Sequence, residues 1–149
     1  MTGKNHIKIA FSVSLLTLNP VVIGYSILGS ILPDIDHYKS MISKFIIAPY
    51  ITKVLTHRGF THSILGFITV TLTTIITIHR WDIVAGIAIG YISHIVADML
   101  TSQGVQLMWP KRKRYKFPFT FSTGSEYESI FTNVSVILSI YYAVTNLNI

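Results

Sequence analysis

Two long apolar stretches limit how this chain can fold. Residues 64–78 contain no charged side chain, and residues 83–100 are apolar apart from His94 and Asp98. With its flanks, each stretch is about 27 Å or more long as a helix, close to the roughly 30 Å hydrocarbon thickness of a bilayer. Only four residues, 79–82, separate them, so the sequence predicts a tight helical hairpin.

The composition is typical of a membrane protein. Of the 149 residues, 50% are hydrophobic and 12% are charged, and the mean hydropathy is +0.54. Soluble domains usually contain about 25% charged residues. The chain has no cysteine, which excludes disulfide scaffolds, cysteine-ligated metal sites and thiol catalysis. We therefore predict an all-α, polytopic membrane bundle that forms a single transmembrane domain over residues 1–149.

Further helices are expected at both ends of the chain. A third long span is predicted over residues 126–145, where Ser125 and Glu128 have the spacing of a capping box. Near the amino terminus, Asn19-Pro20 interrupts an apolar run, because proline removes an amide donor and restricts the residue before it. The run is either one kinked span or a short hairpin of helices 6–18 and 20–32, and the hairpin gives a bundle of about five helices.

The distribution of positive charge favours the hairpin. With a hairpin, the amino terminus and the loops 33–60 and 101–125 lie on one side of the membrane, and only Arg80 lies on the other. By the positive-inside rule, the basic side faces the cytoplasm. The basic residues on that side are Lys4, Lys8, Lys39, Lys44, Lys53, Arg58, Lys111, Arg112, Lys113, Arg114 and Lys116.

Ionisable side chains inside or beside the predicted spans are candidates for a functional site. Such groups are costly in a membrane and are usually paired or functional. The predicted topology brings several of them to the same end of the bundle and places His79 at the opposite end. The candidate metal ligands are His6, Asp34, His57, His62, His94 and Asp98, and the candidate catalytic residues are Asp36, Arg58 and Glu126.

The residue types suit a divalent metal ion. His94 and Asp98 are four residues apart in a predicted helix, so both side chains point the same way. Imidazole and carboxylate ligands favour zinc, with manganese as an alternative. The group is larger than one tetrahedral ion needs, which allows one or two ions. A buried hydrogen-bonded pair is the alternative for His94 and Asp98, and lipid headgroup contact is the alternative for His57.

Three motifs carry a family resemblance. They are residues 31–37 (ILPDIDH), residues 57–63 (HRGFTHS) and residues 90–98 (GYISHIVAD). In this order they resemble the YdjM-like family of bacterial inner-membrane proteins. Members are described as metal-dependent hydrolases, and some are linked to the LexA-controlled DNA-damage response. The resemblance spans nearly the whole chain and implies a metal-dependent hydrolase.

The chain is also distantly similar to zinc-dependent phospholipase C and related single-strand nucleases. In those enzymes a helical His-x-x-x-Asp supplies a histidine ligand and a metal-bridging aspartate, which correspond to His94 and Asp98. Their other ligands correspond to His6, Asp34 and His62. The enzymes have further histidines after the bridging aspartate, whereas this chain has no histidine after His94. A full three-zinc site is therefore not expected.

The expected function is metal-dependent hydrolysis of a phosphoester in a membrane phospholipid. Arg58 or a nearby lysine would hold the phosphate, and Asp36 or Glu126 would accept a proton. The alternatives are a non-catalytic ion or proton carrier and a structural metal site in an interaction protein. The basic run from Lys111 to Lys116 favours anionic lipid headgroups over nucleic acid. The sequence leaves open whether the chain forms a homo-oligomer.

Overall fold

The computed structural model describes residues 1–36 and 59–147. Within these ranges the fold is all-helical and contains no strand, which confirms the all-α part of the predicted fold class. Two short 3-10 helices, Leu32–Asp36 and Phe60–His62, accompany five α-helices. The α-helices are α1 (Gly3–Leu15), α2 (Pro20–Gly29), α3 (Ile64–Ile78), α4 (Trp81–Met99) and α5 (Glu126–Asn146).

The amino-terminal apolar run forms two helices, as the charge distribution predicts. Leu18 adopts a left-handed backbone conformation with a φ of 53°, which ends the first helix. The side chain of Asn19 then accepts hydrogen bonds from the amides of Val21 and Val22, at 2.9 and 3.3 Å. Pro20 occupies the first turn of α2, where its missing amide proton is not needed. Helix α1 has the length of the predicted helix 6–18 but begins and ends three residues earlier, and α2 ends at Gly29 instead of residue 32.

The predicted hairpin of α3 and α4 is also present. Helix α3 ends at Ile78, His79 has a φ of 53°, and α4 begins at Trp81. Among the described helices, α4 alone is both long and apolar enough to cross a membrane, whereas α2 and α3 are apolar but shorter. A polytopic arrangement with several complete spans therefore stays a prediction.

Helix α4 lies at the centre of the bundle and contacts α1, α2 and α3, while α5 packs on α1. Small residues allow α2 and α4 to approach closely. A β-carbon at Gly90 would lie 2.0 Å from the carbonyl oxygen of Ser26, and one at Gly29 would lie 2.4 Å from that of Ile87. Close backbone approach at small residues is common between membrane helices.

The connection between α4 and α5 folds back onto the end of α4. Val105 and Tyr115 exchange two backbone hydrogen bonds of 3.0 and 2.8 Å. The amides of Phe117 and Phe121 donate to the carbonyl oxygens of Met99 and Leu100, at 3.0 and 2.8 Å. Residues predicted only as a loop are thus held against the helix that carries His94 and Asp98.

We expect Gly90→Ala to destabilise the fold by about 1–3 kcal/mol, because the added methyl group overlaps the backbone of α2. Gly24→Ala is the matched control, since a β-carbon at Gly24 meets nothing within 4 Å and alanine favours a helix. Thermal unfolding in detergent should show a lower midpoint for Gly90→Ala only. Equal midpoints for the two variants would contradict the close α2–α4 contact.

Candidate metal centre

Five of the six predicted ligands come together at one end of the bundle. His6 comes from α1, Asp34 from the 3-10 helix after α2, His62 from the 3-10 helix before α3, and His94 and Asp98 from the end of α4. The three histidines and Asp98 are buried. Asp34 retains 23% of its side-chain exposure. The convergence inferred from topology is therefore present in the structure.

Asp34, His62 and His94 form a compact triangle of potential ligand atoms. The two histidine Nε2 atoms are 3.2 Å apart, and Oδ1 of Asp34 lies 3.5 Å from Nε2 of His62 and 3.6 Å from Nε2 of His94. The two distances to the carboxylate are long for direct hydrogen bonds. Ligands about 2.0–2.2 Å from a tetrahedral ion lie about 3.3–3.6 Å from one another. The triangle therefore has the size that one tetrahedral metal ion requires.

Backbone and hydroxyl groups orient two of the imidazoles. Nδ1 of His94 lies 2.6 Å from the carbonyl oxygen of Ser30, which can only accept, so Nδ1 carries the proton and Nε2 offers a lone pair. Nδ1 of His62 lies 3.1 Å from Oγ1 of Thr61. Tyr91 donates a hydrogen bond to the Thr61 carbonyl oxygen. Partners of this kind commonly orient histidines that bind metal.

His6, His94 and Asp98 form a second group of ligand atoms that shares His94 with the first. The His6 and His94 rings stack with centroids 3.6 Å apart, and Nε2 of His6 lies 3.3 Å from Oδ1 of Asp98. The other oxygen of Asp98, Oδ2, lies 3.6 Å from Nε2 of His62. Asp98 thus faces both groups, one with each carboxylate oxygen, and it also contacts the α-amino group of Met1.

The electrostatics of Asp34 also suit a cation site. Burial would raise the pKa of Asp34, but contact with His62 and the nearby imidazoles of His94 and His6 outweigh burial and hold that pKa well below its usual value. Asp34 is therefore a carboxylate at neutral pH. Nδ1 of His6 is buried and has no hydrogen-bond partner in the part of the chain that the structure describes. This set of donors fits a bound divalent ion.

The remaining predicted residues lie elsewhere or outside the described ranges. Glu126 is exposed at the first position of α5 and belongs to neither group of ligand atoms. Asp36 ends the 3-10 helix that carries Asp34. His57 and Arg58 lie outside the described residues. His79 is exposed at the turn between α3 and α4, at the end of α4 away from His94.

The capping-box spacing predicts Glu128 only as a helix-end residue, and the structure corrects that interpretation. Ser125 caps α5 by accepting from the Glu128 amide at 3.3 Å, as the capping-box spacing predicts. The buried Glu128 carboxylate instead accepts from the Thr2 amide at 2.9 Å, the Asn5 side chain at 2.6 Å and the Gly124 amide at 2.9 Å. This network attaches the start of α1, and hence His6, to the start of α5.

Comparison with known proteins gives the family. Residues 1–148 match the family described as YdjM inner membrane protein. The chain belongs to the YdjM inner membrane protein family. The inner membrane protein YdjM of Escherichia coli is 36% identical over 138 residues, which cover 79% of this chain and 70% of that protein. The uncharacterized protein YvsG of Bacillus subtilis is 33% identical over 150 residues, which cover 95% of this chain and 94% of that protein.

The family description and the name of the E. coli protein refer to the inner membrane, which supports that location for this chain. The family resemblance inferred from the three motifs is therefore confirmed. No solved structure matches the chain. The similarity to phospholipase C has no support from these comparisons.

Glu128→Gln should destabilise the fold by about 1–3 kcal/mol, because one of the three donors to this side chain would then face an amide nitrogen instead of an oxygen. Glu126→Gln is the control for loss of negative charge at the start of α5, and we expect it to change stability by less than about 1 kcal/mol. Thermal unfolding in detergent measures both. Similar losses would show that Glu128 acts only through the helix dipole.

Proposed function

We propose that this protein is a membrane-embedded, metal-dependent hydrolase that cleaves a phosphoester bond in a phospholipid. The observation that carries the proposal is the triangle of Asp34, His62 and His94, whose separations of 3.2, 3.5 and 3.6 Å suit one shared ion. Three ligands leave a fourth tetrahedral position for water or substrate, as in catalytic zinc sites. A structural zinc site has four protein ligands instead.

Zinc is the metal that this donor set favours, with manganese as the alternative. Two ions also fit the arrangement, since Asp98 presents one oxygen to His6 and the other to His62. When bound, a divalent ion lowers the pKa of a water molecule and stabilises negative charge that develops on a phosphate.

The chain's own residues would bind the substrate and move its protons. Asp34 is the least buried member of the ligand group, so the substrate would approach from the side of the two 3-10 helices. Arg58 would hold the phosphate, and Asp36 or Glu126 would accept the proton of the attacking water. The roles of Arg58, Asp36 and Glu126 are inferred from the sequence alone.

Exposed apolar faces support a lipid environment. On α3, Leu65, Ile68, Leu72 and Ile76 form a stripe at helical spacing, and all four are exposed. Helix α5 similarly exposes Ile130, Val134, Ile137, Leu138 and Tyr141. Large exposed apolar surfaces mark contacts with lipid or protein, and the family description refers to the inner membrane. We propose that these faces contact the acyl chains, which makes a phospholipid the accessible substrate.

The metal hypothesis predicts that Asp98→Asn lowers metal affinity by roughly 10–100-fold or more, because the amide lacks the charge that offsets the cation. Purified protein should lose its metal on dialysis and should no longer hydrolyse a short-chain phospholipid. Elemental analysis and a hydrolysis assay measure the two effects. In the wild type a chelator should also lower the unfolding midpoint, because bound metal stabilises the folded state.

Two matched control variants test whether the loss of metal and activity is specific to the site. Asp82→Asn makes the same chemical change at the other end of α4, where Asp82 pairs with Arg80 at 2.6 Å. His79→Asn removes an imidazole where the left-handed backbone tolerates asparagine. Both should retain metal and activity. Equal metal in all variants would remove Asp98 from the site, and metal without hydrolysis in the wild type would favour a structural metal site.

The orientation can be tested by cysteine accessibility, because the chain contains no cysteine. We expect a membrane-impermeant thiol reagent to label Arg80→Cys in intact cells, but Gly3→Cys and Lys113→Cys only after permeabilisation. Gly3 has room for a side chain, and Lys113 and Arg80 are both exposed. Labelling of Gly3→Cys and Lys113→Cys from opposite sides would contradict a common cytoplasmic location of His6 and the connection between α4 and α5.

A further inference from the structure

Residues 105–121, here called the basic loop, have a defined attachment to the bundle. Backbone hydrogen bonds join Val105 to Tyr115, and others join Phe117 and Phe121 to the last residues of α4 and its cap. The amide of Ile64 donates to the Leu107 carbonyl oxygen at 3.0 Å, which connects the loop to the start of α3. The loop is therefore held at the end of α4 that carries Asp98.

The basic loop has a concentrated positive charge. No acidic residue occurs anywhere between residues 99 and 125. Within the described ranges, the ion pairs found do not involve the cations of this loop. The cations, all exposed, are Lys111, Arg112, Lys113, Arg114 and Lys116. Such a group favours an anionic partner.

Large apolar side chains lie among these cations and are also exposed. Phe119 is 86% exposed, and Met108, Trp109 and Phe117 are also exposed. The Trp109 ring makes an edge contact with Phe60, with centroids 5.4 Å apart, so one side of the indole is held by the bundle. Exposed tryptophan and phenylalanine beside lysine and arginine are typical of a membrane interface, where the rings insert and the cations bind headgroups.

We propose that the basic loop docks on anionic phospholipid headgroups and prefers them to zwitterionic ones. The cations contact headgroup phosphates, while Phe119 inserts at the boundary with the acyl chains. A double-stranded nucleic acid would satisfy the cations but not the exposed Phe119, Met108 and Phe117. A single strand could stack its bases on the two rings, but the family description refers to the inner membrane, which favours lipid. Because backbone hydrogen bonds join the loop to Met99 and Leu100, docking keeps the end of α4 at the depth of the headgroups. Docking of the loop on lipid requires neither a bound metal nor hydrolysis.

Trp109 provides a local probe of the lipid beside the loop. The chain has two tryptophans, and Trp81→Phe at the far end of α4 leaves Trp109 alone. This variant is reconstituted in nanodiscs that contain equal fractions of brominated phosphatidylglycerol or brominated phosphatidylcholine. We expect the anionic lipid to quench Trp109 fluorescence by roughly two-fold or more over the zwitterionic lipid. Added salt should reduce the difference.

The charge dependence is tested by replacing the five cations with glutamine in the same Trp81→Phe protein. The preference should disappear, while Arg80→Gln at the opposite end should retain it. An unchanged unfolding midpoint would show that the five-fold variant still folds. Equal quenching by both lipids in the parent protein, or a preference that survives the five substitutions, would overturn the proposal. Displacement of the anionic lipid by a single-stranded oligonucleotide at matched charge would assign the loop to nucleic acid instead.

Discussion

Helices α2 and α4 approach so closely at Gly90 that a β-carbon there would lie 2.0 Å from the Ser26 carbonyl oxygen. One turn further along α2, the Ser30 carbonyl oxygen accepts a hydrogen bond from His94. The same segment continues into the 3-10 helix that presents Asp34 to the same histidine. A backbone contact between two apolar helices therefore determines how one imidazole is rotated and where its carboxylate partner lies. A larger side chain at Gly90 would alter the whole ligand group.

The buried polar groups form two networks, and the two networks have different roles. The histidines and the two aspartates face one another at separations that could hold a metal ion, and burial in an apolar bundle makes unpaired charges among them costly. Glu128 belongs to the other network, where it accepts three hydrogen bonds from uncharged donors. That network attaches α1 to α5 and so helps to position His6. The carboxylates thus have separate roles, which follow from the partners each one faces.

The ligand group and the basic loop lie at the same end of α4. A lipid headgroup held by the loop would be close in depth to Asp34, the most accessible of the ligands. In the proposed reaction, the substrate would stay in the membrane while its phosphate is attacked. The apolar stripes on α3 and α5 would meanwhile contact the acyl chains.

The sequence by itself determined the helices and their order. Uninterrupted apolar runs predicted α3 and α4, Asn19 and Pro20 indicated the break between α1 and α2, and topology predicted that His6, Asp34, His62, His94 and Asp98 converge. These features depend on local propensity and on the direction of each segment, which can be inferred from residue types along the chain.

Only the tertiary structure decided which atoms meet. It showed that Nε2 of His94 is the available nitrogen, that Asp98 faces two groups of ligands, and that Glu128 rather than Glu126 is buried against α1. It also showed that backbone hydrogen bonds attach the segment 101–121 to the end of α4. These contacts depend on the rotation and offset of helices that are far apart in the chain, and the periodicity of one helix does not determine how far it is rotated against another.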